Sequence, residues 1–330
     1  MQTGNGAVAA GGSGGEKRAM PPSLYKFVWA VSGWNQAGLA ALSATLFLLG
    51  IVPVELSRRI VNAAADRKSF DLIVALTLLY LLCALMEGLM KLALNMYRSR
   101  IGERSVRWLR RAVFASAGGL ATAEGTEIAI VVAEAEPVGE FVGIAISEPL
   151  LQGGILTVVG GYLLYLQPLM AVVVLLVFFP QFGFVPLMQS AISRRVQGKI
   201  GVTRRMSEGI VEQGGAIDTN GIQNERIDRI YALNMEIYKF KFSMNFLMNL
   251  LAQIGYAGIF GVGSYLVING QTEIGTIAAF VAGLGKINDP WGDFVDWYRG
   301  LKITEVKYEM LLTASSRALP DQPVSAFSNG

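Results

Sequence analysis

Residues 70–114 read FDLIVALTLLYLLCALMEGLMKLALNMYRSRIGERSVRWLRRAVF. The first half, about 72–96, is an apolar run long enough to cross a bilayer, which takes about 20 helical residues. The second half carries Arg98, Arg100, Arg104, Arg107, Arg110 and Arg111. Among them Ile101, Val106, Leu109 and Val113 recur along one helical face. One stretch thus predicts a membrane-crossing helix followed by an amphipathic helix outside the membrane.

The rest of the chain agrees with a membrane reading. Of 330 residues, 52% are hydrophobic and 16% charged, against about 25% charged in soluble domains, and the mean hydropathy is +0.44. A net charge of +3 is too small to indicate a nucleic-acid partner. There is no His, which excludes His-dependent triads, metal sites and proton relays. The single Cys, Cys83, cannot form an intrachain disulfide and reads as a small packing residue. Residues 1–20 are rich in Gly, Ser and Ala without an apolar core, so they read as a flexible tail rather than a signal. The expected organisation is a tail over 1–21, one transmembrane domain over 22–313, and a second tail over 314–330.

Six spans are expected, at roughly 35–56, 72–96, 145–166, 169–189, 246–268 and 274–296. Gln167-Pro168 marks a tight hairpin between the third and fourth, with Pro168 opening a helix. Asn269-Gly270-Gln271-Thr272 marks another between the fifth and sixth. Basic residues concentrate after the second, fourth and sixth spans and before the first. The opposite side holds only Arg58, Arg59, Arg67 and Lys68, in its first loop. The positive-inside rule then places both termini in the cytoplasm. The two cytoplasmic connections, 97–144 and 190–245, are too long for turns. Residues 222–242 repeat the amphipathic pattern with Ile227, Ile230, Tyr231, Met235 and Tyr238. Each connection predicts a helical hairpin whose arm of about 24 residues reaches roughly 35 Å beyond the membrane.

Several stretches in this order resemble the type I transmembrane domain of ABC exporters, over about 22–313. Ser23–Val31 is similar to the family's elbow helix, and Val52-Pro53-Val54 with Arg59–Ala63 to the outer end of its first helix. Gly125-Thr126-Glu127-Ile128 resembles the turn after the first coupling helix, and Glu212–Glu225, with Asn220-Gly221, the second. Ile274-Gly275-Thr276 through Phe280, Asp289-Pro290 and Lys307-Tyr308 are similar to the sixth helix. Two departures stand out. The stretch after Glu127 lacks the family's Asn-Asp pair, and Pro137 is expected to interrupt the returning arm. No nucleotide-binding domain is expected either. The nearest approach to a phosphate-binding loop is Gly283-Leu284-Gly285-Lys286, with Phe280 and Ile287 where Gly and Ser or Thr are needed.

The resemblance implies an all-α membrane protein: six long transmembrane helices with cytoplasmic extensions and coupling helices. It implies the permease subunit of an exporter in a bacterial inner membrane, paired with a second transmembrane subunit, identical or related, and surrounded by lipid. The chain is expected to be no enzyme by itself and to bind no cofactor or metal, with ATP and Mg on a separate ATPase subunit. Expected docking residues are Ala121, Thr122 and Glu124 at one tip, and Asp218, Thr219, Asn220 and Gly221 at the other. The rival readings are an ion-coupled carrier or channel, and a non-transporting half-transporter acting as a scaffold.

Ionisable residues within spans cost about 2.5–3.5 kcal/mol each on insertion scales, so they mark candidate sites. Glu87 and Lys91 lie four apart, in the order that favours an intrahelical pair. That pair lines a translocation cavity on one reading and only lowers insertion cost on the other. Lys286, Asp289, Asp293 and Asp296 follow at offsets of 3, 4 and 3, stacking on one face beside Pro290, where a kink is expected. As a cavity lining this stripe favours cationic or zwitterionic cargo. Alternatively, Lys286 pairs with Asp289 while Asp293 and Asp296 sit at the surface. Gly153, Gly154, Gly160, Gly161, Gly255, Gly258, Gly261 and Gly263 suggest close helix packing. Trp29, Trp34, Trp291 and Trp297 suggest interfacial anchors. Arg104–Arg111 reads as a solvated helix face near the inner leaflet or, alternatively, as a binding surface for anionic lipid or nucleotide.

Overall fold

A computed structural model describes the backbone of residues 21–117, 125–212 and 221–317. Among these residues every regular element is helical. The helices are α1 (Leu24–Ser32), α2 (Trp34–Leu49), α3 (Val52–Ala65), α4 (Phe70–Ala117), α5 (Gly125–Ile144), α6 (Ser147–Leu166), α7 (Pro168–Glu212), α8 (Ile222–Ile268) and α9 (Ile274–Arg317). Five stretches are long and apolar enough to cross a membrane: Trp34–Ala65, Phe70–Ala112, Ala135–Leu166, Pro168–Thr203 and Ile222–Ile268. That is the pattern of a multi-pass membrane protein. The sixth expected span, within α9, is not among them, because polar residues from Lys286 onward dilute its apolar run.

The first crossing is two helices rather than one. α2 stops at Gly50, and Pro53, lacking an N–H, stands in the first turn of α3. α3 then runs on to Ala65, so Arg58 and Arg59, expected in a loop, are helical. The two expected hairpins form as the local chemistry requires. Gln167 is extended (φ −156°, ψ 99°), the conformation a following proline imposes, and Pro168 opens α7. Gly270 turns the chain between α8 and α9 at φ +67°.

α4, α7, α8 and α9 contain 48, 45, 47 and 44 residues, so each is roughly 66–72 Å long. The hydrocarbon core of a bilayer is only about 30 Å thick. Each helix therefore has far more length than a crossing uses. Pro137 does not interrupt the returning arm, since α5 continues through it, and α9 likewise continues through Pro290. Close backbone contact supports α5 here. A Cβ at Gly139 would lie 2.5 Å from the Val106 amide nitrogen, and one at Gly143 would lie 2.3 Å from the Arg98 carbonyl oxygen. Between these contacts Ile101, Val106 and Leu109 are buried with Val138 and Val142, as the amphipathic pattern of the first arm predicts.

The second arm differs. α7 and α8 pack chiefly on each other, and of the expected apolar face of α8, Ile227, Tyr231, Met235 and Tyr238 are exposed while Ile230 is half-buried. The glycine expectation holds in part. Gly255, Gly258 and Gly263 lie against Leu284, Val173 and Ile277, and Gly154 against Phe47. Gly153, Gly160, Gly161 and Gly261 have open space where a Cβ would sit.

α1, the expected elbow helix, is capped by Ser23, whose hydroxyl accepts from the Lys26 amide at 3.4 Å. Its Phe27 stacks on Tyr308 of α9, with ring centroids 5.2 Å apart. The Tyr308 hydroxyl donates to the Pro21 carbonyl at 2.6 Å, and burial pushes this phenol above its ordinary value. α1 and α9 thus close on one another.

Candidate functional site

The ionisable residues of α4 and α9 meet, but not in the pairs that sequence spacing favours. Lys286 Nζ donates to Glu87 Oε1 across the two helices. This replaces both the expected Glu87–Lys91 pair and the Lys286–Asp289 pair. An exposed i,i+4 pair is worth only about 0.2–0.5 kcal/mol. An ion pair held between helices, with both side chains mostly covered, is less screened. Lys91 has no carboxylate within 4 Å among the described residues.

One level further toward the arms lies an ion pair that charge counting alone did not single out. Arg98 of α4 is 9% exposed. Its Nη1 meets Glu148 Oε2 at 2.5 Å, and its Nε donates to Ser147 Oγ at 2.8 Å. Glu148 also accepts from Gln152 Nε2 at 2.7 Å, and the same amide donates to Asp293 Oδ2 of α9 at 3.1 Å. Arg98, Glu148, Gln152 and Asp293 therefore form one polar chain from α4 through α6 to α9. The signal for it was present: an acid at Glu148 inside an apolar run, with Gln152 one turn later.

The remaining acids of α9 extend this seam. Asp289, Asp293 and Asp296 are all exposed and share a face, as their spacing predicts. Asp296 accepts from Gln189 Nε2 of α7 at 2.7 Å and pairs with Arg299 at 3.4 Å. Arg299 in turn donates to the Gln189 side-chain oxygen. Counted from the start of α9 at 1.5 Å per residue, Lys286 lies about 18 Å along the helix, Asp293 about 28 Å and Asp296 about 33 Å.

The pairings decide the charge of this seam. Lys286 neutralises Glu87, Arg98 neutralises Glu148, and Arg299 neutralises Asp296. Among the described residues Asp289, Asp293 and Lys91 have no ion pair, which leaves a surplus of one negative charge. No family model matches the chain, and no curated protein matches it either.

Exposed carboxylates on a helix in a membrane protein cannot face lipid tails, so this face adjoins water or another polar surface. Such a face can attract a cation and hold it by charge and hydrogen bonds. The described residues contain no group of three or more acids or cysteines arranged to hold a metal. Gly283–Lys286 lies within α9, where backbone N–H groups serve the helix and cannot cradle phosphate.

Of the expected docking residues, Gly221 is described: it precedes α8 at φ +73°, with open space where a Cβ would sit. Ala121, Thr122, Glu124, Asp218, Thr219 and Asn220 lie outside the described residues. Trp29 and Trp34 are 58% and 86% exposed, in keeping with interfacial anchors. Trp291 and Trp297 instead turn inward. Trp291 packs on Phe182 with centroids 4.3 Å apart, and both indole nitrogens are buried.

Proposed function

We propose that this chain is the membrane-spanning subunit of an ABC exporter. It works as a pair of such subunits, with both termini in the cytoplasm of a bacterial inner membrane. α9 supplies the sixth crossing, its charged stripe lining a water-filled cavity between the subunits. Two hairpins, α4 with α5 and α7 with α8, extend into the cytoplasm. Separate ATPase subunits hold their tips, and ATP hydrolysis there swings the arms and exposes the cavity to alternate sides. The arms act as levers in rigid-body coupling.

The observation that carries this reading is the length of α4, α7, α8 and α9, of 44–48 residues each. A carrier or channel confined to the bilayer needs helices of about 20 residues. Helices twice that length, apolar over one part and charged over the other, suit a machine that receives force outside the membrane. The surplus negative charge on the α9 face favours a cationic or zwitterionic cargo.

Replacing residues 118–124 and 213–221 with Gly/Ser linkers tests the reading. Membrane insertion should persist while binding of the ATPase subunit and transport are lost. Transport that survives both replacements refutes the lever mechanism. Purification with its ATPase subunit, followed by screening of organic cations for stimulated hydrolysis, then identifies cargo.

A further inference from the structure

A second polar cluster lies at the opposite end of α9 from the arms. Glu55, Arg58, Arg59 and Asn62 occupy neighbouring positions on α3. Arg58 donates to Glu55 at 2.9 and 3.0 Å and to Glu273 at 3.0 Å, while Arg59 donates to Glu55 at 2.6 Å. Asn62 donates to the same Glu273 carboxylate and accepts from the Gly275 amide at 2.7 Å. Tyr162 of α6 donates to Glu55. Glu273 immediately precedes α9, so these bonds tie α3, α6 and the first turn of α9 into one clasp.

Shape reinforces the bonds. A Cβ on Gly275 would lie 2.3 Å from the Arg58 carbonyl oxygen and 2.4 Å from Asn62 Oδ1. The first turn of α9 therefore rests directly on α3, with no space for a side chain. Immediately below, Thr276, Ala279 and Phe280 are 2%, 0% and 0% exposed. The clasp covers a buried, largely apolar interior.

We propose that this clasp is an external latch: it holds α3 against α6 and α9 while the outer end is closed, and parts when the pathway opens outward. The inference rests on the alternating-access reading given above. Opening one end of a helix bundle requires some seam at that end to separate. This seam is built to do so reversibly. The Glu273 side chain is 64% exposed, so water can take over its bonds as they break, whereas the Arg58 side chain is 25% exposed and holds its orientation through Glu55. A fully buried ion pair would oppose separation more strongly. Tyr162, Glu55, Arg58 and Asn62 are the positioning residues, and Gly275 sets the close fit.

The test uses the full chain in right-side-out membrane vesicles, with Cys83→Ser and Ala279→Cys as a reporter beneath the latch. The probe is a membrane-impermeant maleimide added outside. Glu273→Gln, which weakens the bonds, and Gly275→Ala, which forces the helices apart, should each raise the labelling rate on the order of tenfold. Gln271→Ala, in the same turn but outside the clasp, should leave it unchanged. Parental labelling rates in both latch variants, with each eluting as folded protein, overturn the latch. A separate Gln271→Cys variant labelled only from the cytoplasmic side instead overturns the orientation, and with it the transport reading.

Discussion

Arg98→Met is the most informative single change, because Arg98 binds both Ser147 and Glu148 of α6 while almost fully buried. Its side chain is 10% exposed and that of Glu148 is 17% exposed. Removing one partner of a buried pair costs about 3–5 kcal/mol, because the other charge is left without compensation. Here Gln152 still donates to Glu148 at 2.7 Å, which keeps part of the carboxylate's hydrogen bonding. The lower end, about 3 kcal/mol, is therefore expected. Adding Glu148→Gln removes the orphaned charge at nearly the same volume and should recover about 2 kcal/mol of that loss. Equilibrium unfolding by SDS in mixed micelles, followed by tryptophan fluorescence across the full double-mutant cycle, measures both terms. If Arg98→Met costs under about 1 kcal/mol, or the double variant is no more stable than the single, the pair does not hold α4 to α6.

Three further outcomes follow from named contacts. Glu87→Gln or Lys286→Met should each destabilise by about 0.5–1 kcal/mol, the modest cost of a partly exposed pair, and the combined variant should lose no more than either alone; the same SDS cycle reads it. Gly143→Val places a side chain where the Arg98 carbonyl lies 2.3 Å from the Cβ position, so α4 and α5 must separate, at a cost of about 1–3 kcal/mol or more in thermal unfolding. Tyr308 has its phenol raised above 10.0 by burial. The folded state therefore keeps the proton that the unfolded state releases, so its contribution is full below pH 10 and is lost as pH rises further. Tyr308→Phe should flatten that alkaline loss while costing about 0.5–1.5 kcal/mol at neutral pH for the bond to Pro21.

Local chemistry was legible where a residue dictates its own backbone. Pro168 announced the α6–α7 turn and Gly270 the α8–α9 turn, because each conformation is imposed by one residue and its neighbour. The buried face of the first arm was equally readable from Ile101, Val106 and Leu109, since helical periodicity alone aligns them. Pairing across helices was not legible. Glu87 and Lys91 satisfy the spacing rule for a helix pair, yet Lys286 reaches Glu87 from another helix, and one-dimensional spacing carries no information about such neighbours. Pro137 misled for a related reason. A proline removes one ladder bond, but the glycine contacts that hold α5 against α4 come from tertiary packing. The spacing of the α9 stripe shows that its residues share one face, whereas its partners on other helices, Glu87, Gln152 and Gln189, emerge only from the arrangement of α4, α6, α7 and α9.

The two polar clusters together constrain how the bundle can move. α6 and α9 take part in both: Tyr162 and Glu273 at one end, and Glu148, Gln152 and Asp293 at the other. α3 contributes only to the first and α4 only to the second, and the two are joined by just residues 66–69. A rigid pair of α6 and α9 with α3 and α4 swinging against it is the motion these bonds permit most cheaply. Parting the clasp at both Glu273 and Tyr162 would free α3 while Arg98 keeps the base of α4 in place, so the proposed swing pivots near Arg98. The Glu87–Lys286 pair lies between the clasp and that pivot, and must stretch when the clasp parts. Loss of Lys286 should therefore raise labelling beneath the latch by less than loss of Glu273, since a bond nearer the pivot resists the swing with a shorter arm.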